Sequence, residues 1–392
     1  MTLTHEEEGR AGDELARLLL EAGALTPEWA GAFGAVPRAL FLPDLIWPYD
    51  MTTGRSVPVS RGEDPETWER TAYADVPVVT QWDDGEHEGT EPGTVATSSA
   101  SMPYVVAVML RDLAAGAGMR VLEIGTGTGW NAALLAHRLG DANVVSVEID
   151  PAVAERARAA LKRAGLSPEV VLGDGAAGWP EGAPYDRVIA TAGVRALPPS
   201  WLAQTRPGGV ILAPWGTHYS DQDALVRLTV AEDGSASGTF RSMVEFMKLR
   251  AQRLDWDRFH EHVPAFPGDA DVSRTKLTRA DLGDRYEPAR FVTGLCVPDC
   301  AHVVNPTGPN ASRAWFFDLR TRSWAAVDFR TGRPWSTVHQ SGPRRLWDEV
   351  EQALTWWSSQ GSPALTRFGL TVAPDGTPHP WLDHPDHPLP FG

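Results

Sequence analysis

Cysteine is almost missing: among 392 residues only Cys296 and Cys300 are thiols. Two thiols cannot staple a chain of this length, so a disulfide framework is excluded. Long apolar runs are missing too, and nothing approaches the roughly 18 residues that crossing a bilayer needs. The first residues carry His5-Glu6-Glu7-Glu8 and no apolar core, so no signal peptide is expected. A cytoplasmic protein without membrane contact follows as the expectation. Positive charge is scarce, with 35 Lys and Arg against 51 Asp and Glu for a net charge of −16. A chain of that sign repels phosphate backbones, which argues against a nucleic-acid partner. Metal-ligand spacing is also poor. Cys296-x-x-x-Cys300-x-His302 has no fourth ligand, His260-Glu261-His262 is not a zinc-helix pattern, and His379, His384 and His387 sit in a Pro-rich tail. No metal site is expected.

What is present is an ordinary globular composition, 42% hydrophobic and 22% charged, in a chain long enough for two domains. Helical spacing of Leu15, Leu18, Leu19 and Ala22 predicts a helix from about Asp13 to Phe33. Tyr49 to Gly93 has no sustained period and reads as irregular. Pro103 to Leu113 reads as a helix with Pro in its first turn. Beyond it, short apolar strands (Arg120–Ile124, Val144–Glu148, Val170–Leu172, Arg187–Thr191, Val210–Pro214) alternate with helical stretches. One of these carries Val153, Ala157, Ala160, Leu161 and Ala164 on one face. This alternation predicts a doubly wound, mostly parallel α/β sheet. After about Arg250 it stops. Residues 253–392 read as a smaller α+β domain with β-like runs at Arg290–Val297, Arg313–Leu319 and Trp324–Phe329, a helix at Arg344–Ser358 and an extended tail. Its tryptophans (Trp315, Trp324, Trp335, Trp347, Trp356, Trp357) fit a core better than a peptide-binding surface.

The strongest motif is Val121-Leu122-Glu123-Ile124-Gly125-Thr126-Gly127-Thr128-Gly129, a strand, a glycine loop and an immediate helix. Glycines let backbone approach a ligand closely, and the helix start offers free N–H groups. The spacing differs from the dinucleotide fingerprint, although NAD-binding folds use a related loop. The next strand ends in Glu148-Ile149-Asp150, which sets a carboxylate for a ribose diol. The third is followed by Gly173-Asp174-Gly175, a short carboxylate suited to an adenine amino group. Together these resemble the Rossmann-like class I methyltransferase fold that binds S-adenosylmethionine. The expected cofactor contacts are Glu123, Gly125, Thr126, Gly127, Gly129, Trp130, Asn131, Glu148, Ile149, Asp174, Gly175 and Thr191.

The likeness extends past that loop. Val36-Pro37-Arg38-Ala39-Leu40-Phe41-Leu42-Pro43, Ala72-Tyr73-Ala74-Asp75-Val76-Pro77, Ser99-Ala100-Ser101-Met102-Pro103, Gly127-Thr128-Gly129-Trp130-Asn131-Ala132-Ala133, Gly173-Asp174-Gly175 with Pro184-Tyr185-Asp186, and Gln204-Thr205-Arg206-Pro207-Gly208-Gly209 occur in order over about the first 220 residues. They resemble the protein L-isoaspartyl (D-aspartyl) O-methyltransferase family, with Trp130-Asn131 where the family has Tyr-Gln. That family usually ends near its catalytic domain. The long C-terminal extension, Thr80-Gln81-Trp82-Asp83-Asp84-Gly85, the Ser98–Ser101 run and Phe246-Met247-Lys248-Leu249-Arg250-Ala251-Gln252 look like an actinobacterial subgroup. Its members accompany lanthipeptide and other ribosomal peptide pathways.

The resemblance implies a methyltransferase domain over residues 1–252, with 1–118 on the substrate side and 119–252 as the cofactor core. Residues 253–392 would be an accessory domain for peptide recognition. The implied reaction methylates an Asp side chain of a modified precursor peptide; the ester closes to aspartimide, which can hydrolyse to isoaspartate. Repair of isoaspartate in damaged proteins is the alternative. A carboxylate with an ordinary pKa of about 4 is ionised at neutral pH and needs no general base, so catalysis can be mostly placement. The residues expected to hold it are Ser101 and, second, Ser99. Ser101 also stands where a plain helix N-cap would.

Overall fold

The computed structural model describes residues 5–254 and 259–390, with side chains described from Gly9 and omitted for residues 255–260. His260 therefore lies outside the described side chains, as does part of the N-terminal acidic run. Among the described residues no helix is long and apolar enough to cross a membrane. Contacts divide the chain into two compact units. One holds residues 1–192, 198–213 and 229–235; the other holds 193–197, 214–228 and 236–392.

The first unit begins with two helices, α1 (His5–Glu21) and α2 (Pro27–Ala35), where one had been expected. Gly23 at φ 68° ends the first, and Pro27 starts the second in the first-turn position that its missing N–H suits. The stretch read as irregular is ordered. It contains β2 (Arg55–Ser56), β3 (Val59–Ser60), α3 (Pro65–Ala72) and β4 (Val78–Trp82), with β1 (Leu45–Asp50) running into its start and β5 (Ala96–Ala100) just past its end. These strands form a small antiparallel sheet in the order β2-β1-β4-β5, with β3 also on β1. Strands this short, broken by a bulge between Val79 and Gln81, carry no readable alternation. The helix did carry a signal: Asp64 caps it by accepting from the Thr67 N–H at 3.0 Å, with Pro65 next.

α4 (Pro103–Leu113) follows, then β6 (Val121–Ile124), α5 (Trp130–Leu139), β7 (Val144–Glu148), α6 (Pro151–Arg163), β8 (Glu169–Leu172), β9 (Tyr185–Ala190), α7 (Pro199–Gln204) and β10 (Thr205–Trp215). The parallel strands lie in the order β10-β9-β6-β7-β8. The chain leaves β6 in one direction and later returns to its other side at β9. Such a reversal opens a crevice at the carboxyl ends of the strands, where α/β folds bind ligands. β6, β7 and most of β9 are buried along their length, as a sheet covered on both faces requires. This is the class I methyltransferase architecture.

In the second unit, β12 (Ala236–Val244), which follows β11 (Asp223–Val230), pairs antiparallel with β18 (Phe368–Val372). That strand pairs in turn with β19 (Pro378–Leu382). The expected extended tail is thus partly a strand. α8 (Phe259–His262) precedes an antiparallel sheet in the order β13-β17-β16-β15-β14, formed by β13 (Asp271–Thr275), β14 (Cys300–Gly308), β15 (Ala311–Asp318), β16 (Trp324–Arg330) and β17 (Ser336–Ser341). α9 (Pro288–Cys296) replaces the β-like run expected at Arg290–Val297. Phe291, Val292, Leu295 and Cys296 recur at helical spacing and are all buried, and Pro288 starts the helix. α10 (Leu346–Ser359) covers the last helix expected. Trp315, Trp324 and Trp347 are core residues, whereas Trp335 is exposed. Cys296 and Cys300 are buried free thiols whose pKa burial pushes upward, and no metal-holding group of His, Cys, Asp or Glu occurs among the described residues. His262 Nε2 instead donates to the Asp318 carbonyl, 3.0 Å away.

Candidate active site

The glycine loop leaves β6 at the crevice. Gly125, Gly127 and Gly129 all have positive φ, at 92°, 54° and 91°. At Gly125 a Cβ would also stand 2.9 Å from the Thr191 hydroxyl, which donates to the Gly125 and Ile124 carbonyls, so only glycine fits the turn there. Glu148, at the end of β7, faces this loop. One of its oxygens accepts from the Gly127 N–H at 2.8 Å, and the other accepts from the Ile149 and Asp150 N–H groups. Leu172 is the register partner of Glu148 on β8. Both Leu172 and Ile149 are apolar yet substantially exposed on this edge, at 51% and 40%.

Exposed apolar side chains flanking an acceptor-only carboxylate suit a group with a flat apolar ring and a hydroxylated sugar. Asp174, exposed after β8, and Asp150 add negative charge to the same edge, which suits a cationic ligand. The residues present therefore fit S-adenosylmethionine, a sulfonium with an adenosine body.

The other expected contacts are distributed by depth. Glu123 is fully buried beneath the loop, accepting from Ser146 Oγ at 2.5 Å and Asn131 Nδ2 at 2.7 Å. Burial pushes its pKa up to about 7; the two hydrogen bonds pull it down and the nearby Glu148 charge adds to the rise. The Thr126 hydroxyl joins the same cluster through Ser146 Oγ at 2.6 Å. Trp130 is also buried. Its Nε1 donates to the Val36 carbonyl at 3.2 Å, and its ring packs edge-on to Phe33. Gly175 is buried and its carbonyl accepts from Trp201 Nε1. Glu148, Ile149, Asp174 and the glycines thus line the edge, while Glu123, Thr126, Trp130, Asn131 and Gly175 support it from below.

Ser99 lies beside the loop, and Ser101 follows directly after the end of β5. The Ser99 carbonyl oxygen would be 3.5 Å from a Cβ on Gly127. Ser101 is half-buried, and its hydroxyl has no hydrogen-bond partner among the described residues. The plain N-cap reading of Ser101 does not hold. Met102 occupies the cap position of α4 without a side-chain bond, and the Asp75 carboxylate accepts from the Tyr104 N–H at 2.7 Å instead. Ser98 is buried, and Thr80 Oγ1 donates to its hydroxyl at 3.3 Å.

Arg38 holds the end of β5, and nothing in its sequence position assigned it that role. It is 1% exposed and donates to the carbonyls of Ala72, Ala74, Val76, Ala100 and Ser101 at 3.0–3.2 Å. Burial lowers its pKa to about 10, which leaves it charged at neutral pH. Its guanidinium also sits 5.4 Å from the Trp130 ring centroid. Three of the ordered motifs therefore meet at one side chain. The available signal was a charge inside an apolar run, which folding tolerates only with partners. Gln81 is a second missed residue: its Nε2 donates to Asp150 at 3.3 Å, tying β4 to the loop after β7.

The model of the family described as protein-L-isoaspartate(D-aspartate) O-methyltransferase matches residues 58–253. A protein-L-isoaspartate O-methyltransferase of Pyrococcus horikoshii is 40% identical over 155 residues, 39% of this chain and 70% of that protein. One of Anaeromyxobacter dehalogenans is 50% identical over 125 residues, covering 31% and 58%. A solved structure described as a protein-L-isoaspartate O-methyltransferase shares the fold at a TM-score of 0.54 and 23% identity, over 95% of this chain and 99% of that one. That likeness runs the length of the chain, so the C-terminal extension does not by itself set this protein apart from structures of that description.

Proposed function

Because the chain belongs to the protein-L-isoaspartate(D-aspartate) O-methyltransferase family, as an S-adenosylmethionine-dependent methyltransferase, we propose that it esterifies the free α-carboxylate of an isoaspartyl residue in a polypeptide. The observation that carries this reading is the seat of the Ser99–Ser101 segment at the end of β5. It lies against the glycine loop, is clamped by Arg38 and leaves the Ser101 hydroxyl without a partner among the described residues.

Bound S-adenosylmethionine supplies a methyl group already activated by its sulfonium. Glu148 would hold the ribose hydroxyls, while Ile149 and Leu172 would flank the adenine and Asp174 would accept from its amino group. Ser101 donates to one oxygen of the substrate carboxylate and leaves the other free to attack. A neutral hydroxyl suits this role, because a cation there would quench the nucleophile. Ser99 lends its backbone to the wall beside Gly127. No proton needs to be moved, since the carboxylate is already ionised. The rate then comes from orientation, which rigid backing by Arg38 preserves.

The test is incubation with S-adenosylmethionine and two short peptides that differ only in an isoaspartyl or an L-aspartyl linkage, followed by mass spectrometry. Esterification of the isoaspartyl peptide is expected. Cofactor binding with no ester on either peptide would overturn the proposal.

A second reading is methylation of an L-Asp in a ribosomally made, modified peptide, with aspartimide and then isoaspartate as products. In that reading residues 253–392, which lie almost wholly beyond the family match, serve peptide recognition. Preference for an L-Asp in a cyclised precursor over the short isoaspartyl peptide would select it.

A further inference from the structure

The second unit contains a cleft of about 1070 Å³ lined by β14, β16, the turn after β16 and the segment around Lys276–Arg290. That volume exceeds the common range for small-ligand pockets and suits a chain segment. Lys276, Arg279, Arg285, Arg290, Arg330 and Arg333 line it, against three carboxylates: Asp221, Glu245 and Asp284. In a chain of net charge −16 this local reversal is not what composition predicts. Two of the arginines are spoken for, Arg285 by Glu245 at 2.7 Å and Arg279 by Asp284 at 3.4 Å. Arg290, Arg330 and Arg333 form no ion pair among the described residues, and the Arg290 Nε is buried without a partner. Trp335, 47% exposed, stands under the Lys276 ammonium at 5.2 Å.

The wall supplies a more specific requirement. His302 lines the cleft and is only 7% exposed, yet its Nε2 has no partner among the described residues. Its Nδ1 bonds the Tyr219 carbonyl, which can only accept, so the proton sits on Nδ1 and Nε2 is a bare acceptor. Burial, and then the Arg290 charge, lower the His302 pKa to about 3, so the ring is neutral at working pH. The cleft therefore asks for anionic groups along its rim and a hydrogen-bond donor at its wall. A peptide backbone N–H with neighbouring carboxylates supplies both. Nucleic acid satisfies the rim, but it would have to approach a protein whose overall charge repels it.

We propose that this cleft binds an acidic segment of the polypeptide substrate, with Arg290, Arg330 and Arg333 meeting its carboxylates and His302 Nε2 accepting from its backbone. The inference rests on the peptide-substrate reading above, but its test does not depend on methyl transfer. Calorimetric titration of the full chain would compare a short glutamate-rich peptide with the same peptide carrying glutamine. The glutamate peptide is expected to bind about tenfold more tightly, with affinity falling as salt is raised. Arg330→Ser with Arg333→Ser should remove that preference, whereas Arg330→Lys with Arg333→Lys should keep most of it. Both side chains are exposed, so these pairs test charge rather than folding. Equal binding of the two peptides, an unchanged preference in the serine pair, or tighter binding of a single-stranded oligonucleotide would each overturn the proposal. Absence of any methyl transfer would sink the functional reading alone and leave this titration standing.

Discussion

A buried guanidinium is costly unless its donors find acceptors. The two terminal nitrogens of Arg38 find five carbonyls on two separate segments, 72–76 and 100–101, while its Nε is left without a partner among the described residues. Arg38→Met would fill part of the volume but strand those carbonyls, at about 1–3 kcal/mol for each one left dry. The expected result is a loss of about 3 kcal/mol or more in a denaturant titration, with a larger proportional fall in kcat than in cofactor affinity. An Arg38→Met protein of unchanged stability would contradict the clamp. Glu123 offers a second test at this scale. Its pKa stands at about 7 in the folded protein against an ordinary value near 4.5, so folding favours the protonated acid. Its stabilising effect is complete below pH 4.5 and is lost as pH rises through 7, a change of about 3 kcal/mol at most. Glu123→Gln keeps the shape without the charge. Its melting temperature relative to the unsubstituted protein should therefore climb from pH 5 to pH 8; a constant difference would refute the shift.

Among the elements, α4 shows how much a sequence can specify and where it stops. Pro103, the apolar stripe and the helix end at Leu113 are local features, and local features were legible. The cap was not, because Asp75 comes from 29 residues upstream. The same division runs through the site. The glycine loop, Glu148 and Asp174 sit next to the strands that announce them, whereas the Arg38 clamp, the Gln81 tie and the exposed Leu172 depend on which segments meet in space. The antiparallel sheet of β1 to β5 escaped for a related reason, since two- to six-residue strands leave no period to read. α9 was misjudged for another: Val292 and Thr293 suggest a strand, but tertiary burial of one helical face outweighs that small preference. Asp75→Ala tests the cap. It should cost about 1 kcal/mol, as cap removals do, and should also lower kcat by letting the Ser101 backbone drift. Asp75→Asn retains an acceptor and should recover most of both, so equal damage from the two substitutions would rule out the cap.

For the whole molecule, the compact units do not follow the order of the chain. Residues 193–197 and 214–228 belong with 236–392. Inside that unit β12 pairs with β18, register Ala236 to Val372, and Phe240 packs on Phe291 at 4.8 Å and on Trp215 at 5.9 Å. Gln252 holds the returning loop, its side chain accepting from the Arg195 and Ala196 N–H groups and donating to the Ala196 carbonyl. Lys248 neutralises the buried Asp223 at 2.8 Å. The Phe246–Gln252 motif is thus structural glue for its own unit. Ending the chain at residue 252 would keep that motif but take away β18 and α9. It would expose a strand edge, Phe240 and Trp215, at about 1.5–3 kcal/mol for each large apolar side chain uncovered. Losses of that size rival the whole stability of a domain. A 1–252 fragment is therefore expected to aggregate or melt without cooperativity, and limited proteolysis of the full chain should leave no stable product ending near that residue. A soluble 1–252 fragment with a cooperative transition and undiminished S-adenosylmethionine binding would mean that the packing between β12, β18 and α9 contributes little, and the interleaved organisation would lose its physical basis.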